Sequence, residues 1–175
     1  MLGLFKAQNR AGTNAKNAYA VILQHIRQPA FYTQYGVPDT FDGRFDLMLL
    51  HVFLLINTLL SEDDETPRAF NQSLFDVVFK DMDQTLREMG IGDMGVPKHM
   101  RRMMKAFNGR MHAYQTALEE HTLPNALKNN LFGTISNADP AYIEKTVSYI
   151  EQNVQNLKQL ARNDIVQGKI EFTAP

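Results

Sequence analysis

Ile143, Val147, Ile150, Val154, Leu157 and Ala161 recur at alternating steps of four and three. That spacing lines one face of an α-helix with apolar side chains. The same rhythm runs through most of the chain. Ala15, Ala18/Tyr19, Ile22 and Ile26 share a face of a helix expected from about Thr13 to Arg27, and Phe70, Leu74, Val77/Val78, Met82, Leu86 and Met89 mark another. No alternating apolar–polar run of useful length competes, and no internal repeat occurs. The pattern predicts an all-α fold, a single-domain irregular bundle of about six to seven helices.

Punctuation divides these helices. After Pro29 comes a short aromatic helix, Phe31-Tyr32-x-x-Tyr35, stopped by Gly36, and the loop Val37-Pro38-Asp39-Thr40 leads into a long helix through about Leu60. That helix is apolar almost all round, as a central core helix should be. Asp46, His51, Asn57 and Thr58 interrupt it, and Phe45–Leu60 falls short of the roughly 20 apolar residues that a membrane span requires. The acidic turn Glu62-Asp-Asp-Glu65 ends at Thr66-Pro67, read as an N-cap and first helical proline. Pro97 starts a helix through about Glu120, a shorter one runs from Leu123 to Phe132, and Asp139-Pro140 caps a last long helix ended by Gly168. The expected organisation is a flexible segment 1–12, a helical domain 13–168 and a tail 169–175. The N-terminus lacks the h-region and cleavage site of a secretory signal.

Composition bounds the function. A chain of 175 residues with 44 % apolar and 21 % charged residues is ordinarily globular. The absence of cysteine excludes disulfides, thiolate metal sites and cysteine catalysis. A net charge of −1 tells against a protein wholly dedicated to nucleic acid, yet that sum conceals blocks. Residues 39–93 hold twelve acids against four bases, whereas 94–118 hold Lys98, Arg101, Arg102, Lys105 and Arg110 and no acid.

The segment Val96–Leu118 is the most informative. At 100° per residue, Val96, Met100, Met103, Phe107, Met111, Tyr114 and Leu118 gather on one side. Lys98, Arg101, Arg102 and Lys105 gather on the other, with Gly109 and His112 continuing their stripe. A charged stripe is ordinarily a solvated face. Here no acid lies within one turn of these cations in the helix, so they have no local partner. Such a stripe suits acidic protein segments, RNA phosphates or anionic lipid headgroups. Seven of the nine methionines lie between Met82 and Met111. Most read as core; Met94 and Met104 fall off the apolar arc and read as exposed contacts. Lys98, Arg101, Arg102, Lys105, Met94, Met104, Gly109 and Arg110 are therefore the candidate partner-binding residues.

Catalytic motifs are not found. Gly90-x-Gly92-x-x-Gly95 has the letters of a dinucleotide fingerprint, but a helix precedes it and no βαβ unit surrounds it. It reads as a glycine turn with Gly90 ending a helix. Asp39, Asp42 and Asp46 could form a carboxylate cation site, although a turn held by an Arg44–Asp pair explains them better. The five histidines show no paired metal spacing, and His51 reads as a hydrogen-bonded core residue. No cofactor is expected. A small helical ligand- or metal-binding enzyme therefore stands only as an alternative, as does an RNA- or anionic-lipid-binding module using the basic face.

Several segments carry a resemblance. They are Tyr35-Gly-Val-Pro-Asp-Thr40, Asp42-Gly-Arg-Phe-Asp46, His51, Asp81-Met-Asp-x-x-Leu-Arg-Glu-Met-Gly-Ile-Gly-Asp93, Val96-Pro-Lys98, Ala106-Phe-Asn-Gly-Arg110 and Ala113-Tyr114. In this order, across about residues 18–118, the chain resembles the ubiquinol–cytochrome c chaperone family. Asn108 stands where an aromatic is expected before Gly-Arg, and the short N-terminus fits a bacterial member. The resemblance implies a non-enzymatic assembly factor that holds newly made cytochrome b, or a similar membrane respiratory subunit, for the cytochrome bc1 complex. It implies a small partner protein and the ribosome as further contacts. The expected location is cytoplasmic, peripheral at the inner face of the cytoplasmic membrane. It also gives Tyr35, Gly36, Pro38, Asp39, Asp42, Gly43, Arg44 and Asp46 a structural or binding role.

Overall fold

The computed structural model describes the backbone of residues 2–59 and 65–175, with side chains from Arg10 to Leu59 and from Thr66 onward. Eight helices follow in order: α1 Leu2–His25, α2 Ala30–Thr33, α3 Phe41–Leu59, α4 Glu65–Glu88, α5 Val96–Glu119, α6 Leu123–Asn129, α7 Pro140–Gln159 and α8 Arg162–Val166. No strand occurs among the described residues. The all-α expectation holds.

The near-continuous apolar run predicts that α3 is central, and it is. Leu47 to Leu55 are all buried, and α3 packs against α1, α4, α5 and α7. α1 lies along α4, while α6 bridges α5 and α7. Burial of these apolar faces, each Leu or Phe worth about 1.5–3 kcal/mol, drives the assembly. The caps follow local chemistry. Thr40 Oγ1 accepts the Gly43 amide at 3.1 Å, and Asp139 Oδ1 accepts that of Ala141 at 2.9 Å, with Pro140 opening α7. At Gly90, φ is +83°, the Ile91 amide bonds to Leu86 O at 3.1 Å and the Gly90 amide to Arg87 O at 2.9 Å. This left-handed C-cap ends α4 as the glycine turn predicts.

Three boundaries differ from expectation. α1 is continuous from Leu2 instead of beginning near Thr13. α4 already starts at Glu65, so Thr66 lies inside its first turn and is not the N-cap. The rest of the acidic turn, Glu62 to Asp64, lies outside the described residues, as does the Lys6 side chain. The last long helix is two: Leu160 and Ala161 are extended, and α8 folds back against α1 and α4. Neither residue is a helix breaker; tertiary packing overrides propensity here, burying Ile165 and Val166.

Residues 169–175 also differ from a loose tail. They form no helix, yet Ile170 and Phe172 are buried. Asn153 of α7 pins the strap: its Oδ1 accepts the Thr173 amide at 3.0 Å, and its Nδ2 donates to Tyr149 O at 2.8 Å. Ile170 and Phe172 are buried while Lys169 and Glu171 stay exposed, and the Phe172 ring packs on His25 and His51.

Candidate functional site

α5 divides as its periodicity predicts. Val96, Met103, Phe107, Tyr114 and Ala117 are buried, and Met100, Met111 and Leu118 are partly so. Lys98, Arg101, Arg102, Lys105, Gly109 and His112 all lie on the exposed face. Among the described residues, no carboxylate pairs with Lys98, Arg101, Arg102 or Lys105.

Arg110, grouped with these cations by sequence, points inward. Its Nη2 lies 2.7 Å from Asp46 Oδ1, with Asp46 only 5 % exposed. The pair ties α5 to the start of α3. Burial pushes the Asp46 carboxyl up to about 6, while Arg110 favours its charged form and the nearby Asp42 charge opposes it. The Tyr114 hydroxyl and Arg110 Nε beside this pair are buried without hydrogen-bond partners.

Methionines extend the exposed face. Met94 in the α4–α5 loop is 96 % exposed, Met89 at the end of α4 57 %, and Met104 on α5 40 %. The loop is not slack. Arg87 grips Asp83 at one end through Nε at 2.7 Å and reaches Asp93 with Nη1 at the other. Flexible thioethers on and just before a helix whose outward cations have no carboxylate partner among the described residues suit apolar and acidic segments together.

The Asp39–Asp46 motif turns out to shape the entrance to α3. Arg44 Nε donates to Asp39 Oδ1 at 2.6 Å, as the turn reading expects, and its guanidinium lies 5.5 Å from the Tyr32 ring centre. A Cβ on Gly43 would stand 2.1 Å from the Pro38 carbonyl oxygen, and one on Gly36 (φ +66°) 2.2 Å from the Tyr142 ring. Tyr35 is buried among aromatic rings, with the Lys145 ammonium 4.2 Å from its ring centre. Asp42 is exposed in the first turn of α3. Asp39 and Asp46 thus go to different arginines and do not converge. Among the described residues, no group of three or more histidines and carboxylates could hold a metal ion.

A buried polar chain lies behind this entrance, and only its His51 member is legible in sequence. His51 Nδ1–H donates to Leu47 O at 2.8 Å, so Nε2 must accept from the Tyr149 hydroxyl, 2.7 Å away. The Tyr149 oxygen then accepts from His25 Nε2–H at 2.8 Å, and His25 Nδ1 accepts from the Gln28 amide at 2.9 Å. The Phe31 and Phe172 rings pack against both imidazoles. Burial lowers His25 to about 4 and His51 to about 3 and raises the Tyr149 hydroxyl. His25 and Tyr149 stand 124 positions apart, with no spacing signal to join them.

Comparison with known proteins extends the likeness beyond the motifs. The family model described as "Ubiquinol-cytochrome C chaperone" matches residues 33–172, taking in α6, α7 and α8, beyond the segments that carry the resemblance. The chain is 28 % identical to mitochondrial protein CBP3 of Saccharomyces cerevisiae, covering 95 % of this chain and 54 % of that protein. It is 25 % identical to the ubiquinol-cytochrome c reductase complex assembly factor 1 of Mus musculus, covering 87 % and 52 %. The chain therefore spans about half the length of the curated relatives it matches. A crystal structure of the Cbp3 homolog from Brucella abortus superposes with a TM-score of 0.82 at 33 % identity, covering 98 % of this chain and 96 % of that one.

Proposed function

Because the chain belongs to the ubiquinol–cytochrome c chaperone family, we propose that it is an assembly chaperone for the cytochrome bc1 complex. In this reading it binds newly made cytochrome b, or a similar membrane respiratory subunit, and does no covalent chemistry. The observation that carries it is the outer face of α5. Four cations with no carboxylate partner among the described residues lie there, Met104 is exposed on the same helix, and Met94 in the loop before it and Met89 just after α4 are exposed as well. A client segment with apolar side chains and acidic flanks finds both kinds of contact there.

No helix among the described residues is long and apolar enough to cross a membrane. In this reading the protein meets its client from the cytoplasmic side as a peripheral factor, where a small partner protein and the ribosome are further contacts. The test is deletion of the gene, with mature bc1 complex and haem b measured spectroscopically. Loss of both, restored by the intact chain, is expected; unchanged levels overturn the reading. The same cations favour a second reading, an RNA- or anionic-lipid-binding module, for which steep salt dependence of binding to RNA or anionic vesicles would speak.

A further inference from the structure

Gly109 sits in mid-helix on the outward face of α5, in phase with Lys98, Arg102 and Lys105. A glycine inside a helix disfavours the helical state by about fivefold relative to alanine. Folds keep such a residue for two internal reasons, and neither applies. The glycines with positive φ are Gly36, Gly90 and Gly168, so Gly109 has no backbone conformation that alanine could not adopt. Outside its own helix backbone, nothing lies within 4 Å of where its Cβ would stand. At Gly43 and Gly168 that Cβ would meet backbone oxygens at 2.1 and 2.6 Å. The fold does not require this glycine.

What glycine offers outward is a strip of bare backbone. Exposed Asn108 and His112 border it. At 1.5 Å rise per residue, Lys105 lies about 6 Å, Arg102 about 10 Å and Lys98 about 16 Å from Gly109 along the axis. Helices ordinarily pack with axes 8–10 Å apart, and a small residue at the crossing allows the closest approach. RNA phosphates would be reached by the long basic side chains and gain nothing from bare backbone. We propose that Gly109 is the crossing point for a partner's helix, one bearing carboxylates on the side that runs back over Lys105, Arg102, Arg101 and Lys98. This deepens the docking role proposed for this face, and rests on it.

The test uses the full chain and a synthetic amphipathic helix with glutamates on one face, followed by fluorescence anisotropy. Gly109→Leu should weaken binding at least tenfold, and the Arg101→Glu/Arg102→Glu double variant by as much. Gln155→Leu, equal bulk on the exposed side of α7, should leave it unchanged. Gly109→Ala should raise Tm by about 2–4 °C and still weaken binding. No binding by the native chain, full binding by Gly109→Leu, or a lower Tm for Gly109→Ala overturns the proposal. Loss of binding only in the arginine variant, with RNA competing for the face, would assign it to phosphates instead. The gene-deletion experiment reports on the assembly role separately, because it does not depend on position 109.

Discussion

Arg110 leaves the basic face of α5 and places its guanidinium 2.7 Å from the Asp46 carboxylate of α3. Its neighbours in sequence order, Arg101, Arg102 and Lys105, stay in solvent. One helix therefore carries two kinds of cation, one that holds the body together and one that faces outward. Removing a partner from a buried pair strands the other charge, at a cost of about 3–5 kcal/mol. Arg110→Ala should lower the free energy of unfolding by about 3 kcal/mol in urea titration. A change below about 0.5 kcal/mol would show that the pair contributes nothing.

The outward cations should behave oppositely. Arg101→Glu/Arg102→Glu is expected to change stability by no more than about 0.5 kcal/mol, as surface substitutions usually do. Association with the client should fall, and the native chain's association should weaken as salt rises. A large drop in Tm would instead assign these arginines to the fold.

Acid should destabilise the protein, with two groups opposing a third. His25 and His51 titrate near 4 and 3 in the folded state and near 6.5 when unfolded. The unfolded chain therefore binds protons first, and the histidines' contribution is present above about pH 6.5 and lost as pH falls toward 4 for His25 and toward 3 for His51. Asp46, raised to about 6, works the other way: its contribution is present below its ordinary value and is lost as pH rises through 6. Two histidines outweigh one carboxyl. Unfolding free energy should be lower at about pH 5 than at about pH 7.5 by on the order of 1–3 kcal/mol. Equal stability at the two values would refute this balance.

The entrance to α3 should tolerate no side chain. Gly43→Ala drives a Cβ into the Pro38 carbonyl, and Gly36→Ala combines a positive φ with the Tyr142 ring. Each should cost about 1–3 kcal/mol, read as a fall in Tm. An unchanged Tm for Gly43→Ala would mean that the loop yields freely.

The C-terminal strap is expected to matter as much as a helix. Phe172→Ala opens space beside His25 and His51 and should cost about 3–5 kcal/mol. A loss below about 1 kcal/mol would return residues 169–175 to the status of a tail.

What could be read in the sequence was whatever one local stretch determines. The two faces of α5, the core position of His51, the Arg44–Asp39 turn and the Gly90 cap all follow from residues within a turn or two of each other. The break at Leu160, the inward turn of Arg110 and the burial of Phe172 do not. Leu160 and Ala161 are good helix formers, and only the docking of α8 on α1 and α4 separates them from α7. Arg110 shares its charge with the stripe, and its fate depends on a carboxylate 64 positions earlier, a separation no helical wheel contains.

The hydrogen bonds from Gln28 through His25, Tyr149 and His51 to Leu47 all point the same way. The two imidazoles must therefore keep opposite tautomers, Nε2–H on His25 and Nδ1–H on His51. No link can be reversed, because the Leu47 carbonyl at the inner end can only accept and the Gln28 amide at the outer end must therefore donate. A rotation of the amide at Gln28, nearest the solvent, would be felt by a carbonyl in the middle of α3, so the interior is wired in series.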